Sequence, residues 1–485
     1  MKQQRMNFRI LAALLTGLLV FLAAYGAYSV VTYGNRWFSF SRNPRVRAQK
    51  AVVVAGDILD RNGVTLATTE GEKRVYQPDA EARQAVVHLI GDPQGQVSNS
   101  VETFQTNYLY GFQMSLGEMI DTMGETRHGD NVRLTIDSRL CTEITRYFNQ
   151  DGSTAGKYGA AIVMNYKTGE LIGSVSLPGF DPMNITDQTL AHPGHPFWNR
   201  ATQAVYPPGS TFKTITASAA LERMEGVESA TFRCNGGLVI DPTHTIYDYG
   251  SSTHGELSLR KAFTVSCNNT FASLALDSIT DRYLREMAER FGFNDNFLFR
   301  DLVVENSSYP TENRTPYEVA MSGIGQSAIV ATPMHMCMVA AAIANDGVMM
   351  EPRLLLSVDS ASGVNRTTYQ SNVYRTAVPA ALAQKISSYM YDVVASGSGR
   401  RAAVSGLKIC GKTGTAESSS DSRAINYGWF IGFIDSDSMP FAVCVLVEDI
   451  ADGESGGTTA APIAGKIFSY LKQHPGLAQG VNAEK

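Results

Sequence analysis

The hydrophobic pattern opens with one uninterrupted apolar block. Ile10–Asn35 runs 26 residues without a charge, and Ile10–Val31 is mostly Leu, Ala, Val, Phe and Tyr. That length predicts a helix able to cross a bilayer. The rival reading is a cleaved signal peptide, with Ala24-Tyr25-Gly26 as a small-x-small site. The apolar run continues through Val30 and Val31, which favours an uncleaved anchor. Strand patterns follow at Ala51–Val54, Ile58–Leu59 and Val64–Ala67, with Asp60-Arg61-Asn62-Gly63 as a strong turn between the last two. Residues 70–130 are weakly patterned and rich in Gln, Asn and Gly, as in a small α+β module with long loops.

Regular patterning returns at residue 131. Asn131–Ile136 alternates as a strand, and Ser138–Asn149 places Leu140, Ile144 and Phe148 on one helix face. Ala160–Met164 and Leu171–Leu177 read as a hairpin. Helical patterning then dominates from Thr211 to about Asn345, at Leu257–Phe263, Asn269–Leu276, Asp281–Phe291, Tyr317–Met321 and Thr332–Ala344. Leu407–Cys410, Trp429–Ile434 and Phe441–Glu448 are apolar and β-rich. Ala460–Leu471 closes the pattern as a helix after the Gly-rich loop Asp452–Gly457. This order predicts an α+β fold, with one antiparallel sheet flanked by helices plus an all-helical subdomain. The expected segments are a tail at 1–9, the anchor at 10–35, a juxtamembrane stretch and N-terminal pedestal at 36–130, and the main domain at 131–485.

Composition changes this picture little, since 44% hydrophobic and 18% charged residues are ordinary for a globular chain. Charge changes it more. The net charge is −5, but the first 50 residues hold eight Lys or Arg and no acid, which leaves −13 on the remainder. An acidic body argues against nucleic acid as a partner, and the basic start suits a membrane surface. Basic residues stand on both sides of the apolar block, so charge alone does not orient it. Six cysteines form no CxxC pair, and eight histidines form no HExxH. The expectation is buried free thiols and no metal site.

The candidate chemistry lies in Tyr206-Pro207-Pro208-Gly209-Ser210-Thr211-Phe212-Lys213. Two prolines and a glycine stop regular structure, and the following residues are helix-compatible, which puts Ser210 in the first turn of a helix. Lys213 follows on the same face, within reach of the serine oxygen. A hydroxyl, an amine and the unpaired N–H groups of a helix start are the minimum for a serine nucleophile. Two later motifs could complete it: Ser266-Cys267-Asn268, between two helices, and Lys412-Thr413-Gly414-Thr415, after an apolar strand. Each motif alone is weak. Ser258–Lys261 is a second SxxK, Lys167-Thr168-Gly169 a second KTG, and Ser41-Arg42-Asn43 a second SxN. Their contexts dismiss them: a Ser258 with no exposing turn, a hairpin tip, and a juxtamembrane basic segment. A phosphate-binding loop is also excluded, because three residues separate Gly209 from Lys213.

Three motifs in this order resemble the class B penicillin-binding proteins, the monofunctional peptidoglycan transpeptidases. Gly56-Asp57-Ile58-x-Asp60-Arg61-Asn62-Gly63, Leu134-Thr135-Ile136-Asp137, Asn199-Arg200-Ala201, Gly323-Ile324-Gly325-Gln326, Ala331-Thr332-Pro333 and Trp429-Phe430-Ile431-Gly432 extend the likeness. It is strong from about 131 to 472 and thin over 70–130. Ala55 stands where the family often has Arg, and Cys267 fills a variable position. The resemblance implies the penicillin-binding/serine β-lactamase-like transpeptidase fold, with catalytic Ser210, Lys213, Ser266 and Lys412. It implies substrate contacts from Asn268, Thr413, Gly414 and Thr415. A desolvated site and neighbouring Lys412 would together keep Lys213 neutral. Peptidoglycan stem peptides would be the substrate and β-lactams the inhibitors, with no cofactor and no metal. It further implies a single-pass protein of the cell membrane with an extracytoplasmic catalytic domain and a SEDS-type glycosyltransferase as partner.

Rival activities stay open at this level. A D,D-carboxypeptidase would use water as acceptor. A β-lactamase would be a shorter chain with a deacylating carboxylate. A non-catalytic sensor would need a larger intracellular domain than the nine residues before the apolar run, and a scaffold would not need Ser210, Lys213 and Lys412 intact. Residues 51–130 are too few for a glycosyltransferase domain.

Overall fold

The computed structural model describes residues 2–38, 44–50, 52–113, 118, 126–150, 152–312, 314–418 and 425–479. Ser41 lies outside them. The first helix runs Lys2–Phe38. Its stretch Arg5–Val30 is long and apolar enough to cross a membrane, and its most apolar window is unburied among the described residues.

Five antiparallel strands form the central sheet, in the order Ile409–Ser418, Ile425–Ile434, Phe441–Val447, Gly159–Asn165, Leu171–Leu177. The last three are buried at every position, and Phe441–Val447 accordingly reads as a continuous apolar run, not an alternating one. Helices Pro333–Ala344, Ala380–Ala395, Ser138–Gln150 and Ala460–Gln473 pack against this sheet. Pro333–Ala344 is buried from Pro333 to Ile343, which explains why its sequence has no polar face. The strand Ile409–Ser418 lies at the sheet edge and is longer than its apolar residues suggested. Lys412, Thr413 and Gly414 stay in register with Ile431, Phe430 and Trp429. Ladder pairing extends the strand through polar residues beyond the apolar stretch Leu407–Cys410.

A second, six-stranded sheet runs Asn365–Thr368, Leu355–Asp359, Asn131–Leu134, Ile58–Leu59, Thr65–Glu70, Lys73–Tyr76. It draws strands from both sides of residue 130, because Asn131–Leu134 pairs in parallel with Ile58–Leu59. The turn Asp60–Gly63 fastens this sheet to the body. Buried Asp60 accepts from Asn62 N, Val64 N and Ser138 Oγ at 2.8–2.9 Å. Arg61 donates to Thr135 O at 3.3 Å and to Gln479 O at 3.0 Å, and lies 3.6 Å from Glu170.

The region predicted as mostly helical also contains short strands at Phe232–Cys234, Gly237–Asp241, His244–Tyr247 and Gly255–Leu257. They pair only with one another in two-stranded ladders and bury few positions, so they carry no period-two signature. The helix Ala380–Ala395 was likewise not anticipated.

Candidate active site

Ser210 sits in a short 3-10 turn, Gly209–Phe212, which runs directly into the helix Lys213–Arg223. The expected helix start is therefore present, one turn tighter than α. The approach is held from three sides. Tyr206 and Ala331 exchange backbone hydrogen bonds at 2.9 Å, Gly209 N donates to Gly325 O at 2.9 Å, and Trp429 Nε1 donates to Pro207 O at 3.0 Å. Gly209 has φ +53°, and an added Cβ would lie 2.8 Å from Thr415 O. The turn and the motif strand therefore touch backbone to backbone. Behind them Phe212 is fully buried with its ring edge-on to Phe293, 5.4 Å between centroids, a burial that contributes about 2–3 kcal/mol.

Lys213 is fully buried. Its Nζ donates to Ser266 O at 2.7 Å, Asn268 Oδ1 at 2.7 Å and Ser266 Oγ at 3.3 Å. Among the described residues it makes no hydrogen bond to Ser210 Oγ, although the two share a helix face. Lys412, also fully buried, donates to Ser266 Oγ at 2.8 Å and Thr413 O at 3.0 Å. Burial pulls the Lys213 amine down to about 8, against the opposing pull of Cys267 and Asp248. Burial also holds Lys412 well below its ordinary value, and the charge of Lys213 lowers it further. The expected desolvation is present, but Lys412 is not among the groups that lower Lys213. In the structure desolvation lowers each lysine first, and the charge coupling falls on Lys412.

Ser266 caps the helix Leu259–Val265 with φ +61°, an uncommon conformation for a non-glycine residue. Cys267 caps the next helix, Asn268–Ser273. The turn between them presents Ser266 and Asn268 to a cleft of about 630 Å³, which Ser210, Thr413, Gly414 and Thr415 also line. The structure thus gathers all eight predicted site residues, six on the cleft wall and the two lysines just behind it. An added Cβ on Gly414 would meet Pro208 O and Thr211 at 3.1 Å, so glycine lets the strand edge lie against the nucleophile turn.

The decoys have structural employment. Ser258 Oγ accepts from Lys261 N at 3.2 Å and caps a helix. Lys167-Thr168-Gly169 is a hairpin tip with Gly169 at φ +81°. All six cysteines are buried and free.

Several site residues carried no signal in the sequence. Tyr247 and Tyr249 rim the cleft, and Ser398 Oγ lies 2.5 Å from Thr413 Oγ1. Glu448 accepts from Arg200 Nε at 2.8 Å and Tyr206 Oη at 2.5 Å, so it braces the approach to Ser210. Asp248 accepts from the backbone N–H of Asn268. Cys234, Asp248, His254 and Cys267 also converge, which bears on the expectation of no metal site. They come from four separate segments, so no local spacing reveals them.

Residues 159–469 match the family described as Penicillin binding protein transpeptidase domain. The peptidoglycan D,D-transpeptidase PbpA of Mycolicibacterium smegmatis is 30% identical over 485 aligned residues, covering 94% of this chain and 97% of that protein. The protein of the same name from Mycobacterium tuberculosis is 34% identical over 380 residues, covering 72% of this chain and 74% of that one. The solved ceftriaxone acyl-enzyme of M. tuberculosis penicillin-binding protein A superposes with a TM-score of 0.79 at 29% identity, covering 87% of this chain and 98% of that one.

Proposed function

The chain belongs to the penicillin-binding protein transpeptidase family, and we propose that it is a serine-type peptidoglycan D,D-transpeptidase inhibited by β-lactams. One observation carries the residue assignment: two buried lysines converge on Ser266 Oγ beside the cleft that Ser210 lines. Ser210 Oγ attacks the penultimate D-Ala carbonyl of a stem peptide, and Lys213 in its neutral form takes the serine proton. Ser266, which accepts from both lysines, relays that proton to the leaving D-Ala amine: it gives up its own O–H proton and takes the one held by Lys213, which returns Lys213 to its neutral form. Asn268 holds the substrate amide. Thr413 and Thr415 bind the terminal carboxylate, and Lys412 acts from behind through Ser266 and by its field. Backbone N–H groups of Ser210 and Thr415 serve as the oxyanion hole. The amine of a second stem peptide then attacks the acyl-enzyme and forms the cross-link. A β-lactam stops at the acyl stage.

Residues 10–35 anchor the protein in the membrane, with 1–9 cytoplasmic, 36–130 as pedestal and 131–485 as the extracytoplasmic catalytic domain. A SEDS-type glycosyltransferase is the partner this arrangement suits, met through the anchor and pedestal. The test supplies the purified chain in vesicles with nascent glycan bearing pentapeptide stems. Cross-linked dimers with equimolar D-Ala release support the reading. D-Ala release without cross-links makes the protein a carboxypeptidase, and no release of D-Ala sinks the enzyme reading.

A further inference from the structure

The strand that carries Lys412-Thr413-Gly414-Thr415 continues to an acid. Ile409–Ser418 places Glu417 just past Ala416, on the alternation that holds Thr413 and Thr415. Alternate residues of a strand share a face. Thr413, Thr415 and Glu417 therefore form one row, and all three line the cleft. Ala416 is buried on the opposite face, where an added Cβ on Gly209 would lie 3.0 Å from it.

Glu417 is held in that row from two sides. It stands opposite Asn426 in the ladder with Ile425–Ile434. On the other edge Gln326 takes both of its backbone groups. With the amide turned to suit them, Gln326 donates to Glu417 O at 3.3 Å and accepts from Glu417 N at 3.1 Å. Gln326 directly follows Gly325, whose carbonyl accepts from Gly209 N beside Ser210. Glu417 is thereby tied to the nucleophile turn. In a paired strand, backbone groups of alternate residues face the same edge. Thr415 thus turns its N–H and C=O toward the cleft, and Gln326 occupies the corresponding groups at Glu417.

Charge separates Glu417 from the rest of the wall. Among the described residues lining the cleft there is no Lys or Arg. Asp248 is buried, accepts from Asn268 N and Asn269 Nδ2, and lies 3.3 Å from His254 Nδ1. Glu417 is exposed, and among the described residues its carboxylate has no hydrogen-bond or ion-pair partner.

The roles proposed for the strand decide what reaches it. The terminal carboxylate of the donor lies on Thr413 and Thr415, and the reacting carbonyl lies at Thr415 N. The donor chain therefore leaves the site in the direction of Glu417. The residue that emerges there is the third of the stem, directly before the two D-Ala. The acceptor nucleophile is a stem-peptide amine, so a donor stem carries the same amine. Two strand residues span about 7 Å, a distance that the long, flexible stem of a lysine-like side chain covers.

We propose that Glu417 selects the donor stem by receiving the side-chain ammonium of a diamino acid at its third position. A side chain that ends in both an ammonium and a carboxylate is received less well than one whose carboxylate is amidated, because the second charge repels Glu417. This inference rests on the transpeptidase reading above.

The test follows thiol release by the full chain in detergent from two thioester donors, Nα-acetyl-L-lysyl-D-alanyl-D-thiolactate and its Nε-acetylated twin. Both keep the terminal carboxylate and the scissile carbonyl, and they differ in one charge. Ser210 Oγ forms the acyl bond as the C–S bond breaks, and the thiol leaves with the serine proton. Wild type should favour the ammonium donor roughly fivefold in kcat/KM at low salt, a preference that shrinks as salt rises. Glu417→Gln should bring the ratio to about one, and Glu417→Lys should invert it. A donor with meso-diaminopimelate in place of lysine should react more slowly than the same donor with its side-chain carboxyl amidated. The same ratio in wild type and Glu417→Gln, or faster reaction of the unamidated donor, overturns the role of Glu417 and leaves the transpeptidase reading standing. No thiol release from any of these donors by wild type overturns that reading, and this inference with it.

Discussion

Lys213 and Lys412 donate to the same oxygen, Ser266 Oγ, from 3.3 and 2.8 Å, and among the described residues neither has a carboxylate within ion-pair distance. Two unpaired ammonium groups buried side by side are costly to keep charged. The pair is thereby driven to surrender a proton, which is what a serine nucleophile needs from a lysine base. Lys213 is lowered to about 8. It accepts a proton only when neutral, hence above that value. Acylation by a fluorescent penicillin should therefore accelerate as pH rises, with a midpoint near 8 and a gain of roughly tenfold from pH 7 to pH 9. A flat or falling profile, measured as the second-order rate constant, contradicts Lys213 as the base.

Ser258 and Ser266 separate motif from function. Ser258→Ala removes a helix cap and should lower stability by about 1 kcal/mol in denaturant titration, with acylation unchanged. Ser266→Ala leaves that cap alone and should slow acylation roughly 100-fold or more. Equal loss of acylation in both variants would break the distinction.

Gly325 lies outside the three motifs but controls the nucleophile. It has φ +73°, and an added Cβ would lie 2.1 Å from Gly209 O. Gly325→Ala should displace the Ser210 turn, costing at least about 2 kcal/mol in stability and roughly 100-fold in acylation rate. Wild-type acylation in this variant would show that the turn tolerates displacement.

Glu448 holds buried Arg200 and the Tyr206 hydroxyl together. Glu448→Ala strands a guanidinium whose side chain is only 4% exposed, so the expected loss is about 3–5 kcal/mol. Thermal unfolding of the purified variant checks it; an unchanged melting temperature would mean that Arg200 finds another partner.

The middle of the central sheet was legible because strands such as Phe441–Val447 are buried on both faces and spell unbroken apolar runs. The three motifs were legible by order, and the structure brings all eight of their residues together. What stayed hidden has physical causes. The two-stranded ladders around Cys234 and His244 bury too little to leave a pattern. Asn131–Leu134 joins the six-stranded sheet by parallel pairing with Ile58–Leu59, which local sequence does not encode. Glu448 and Asp248 act through contacts 242 and 20 residues distant in sequence.

Ser210 as the acylated nucleophile is the claim on which the others depend. The most direct measurement is the intact mass of the purified chain after exposure to penicillin, with peptide mapping of the adduct. One penicilloyl group per chain, carried by the Ser210 peptide, stable over many minutes and lost in Ser210→Ala, is the predicted result. An adduct elsewhere, rapid turnover of the penicillin, or equal labelling of Ser210→Ala would contradict it.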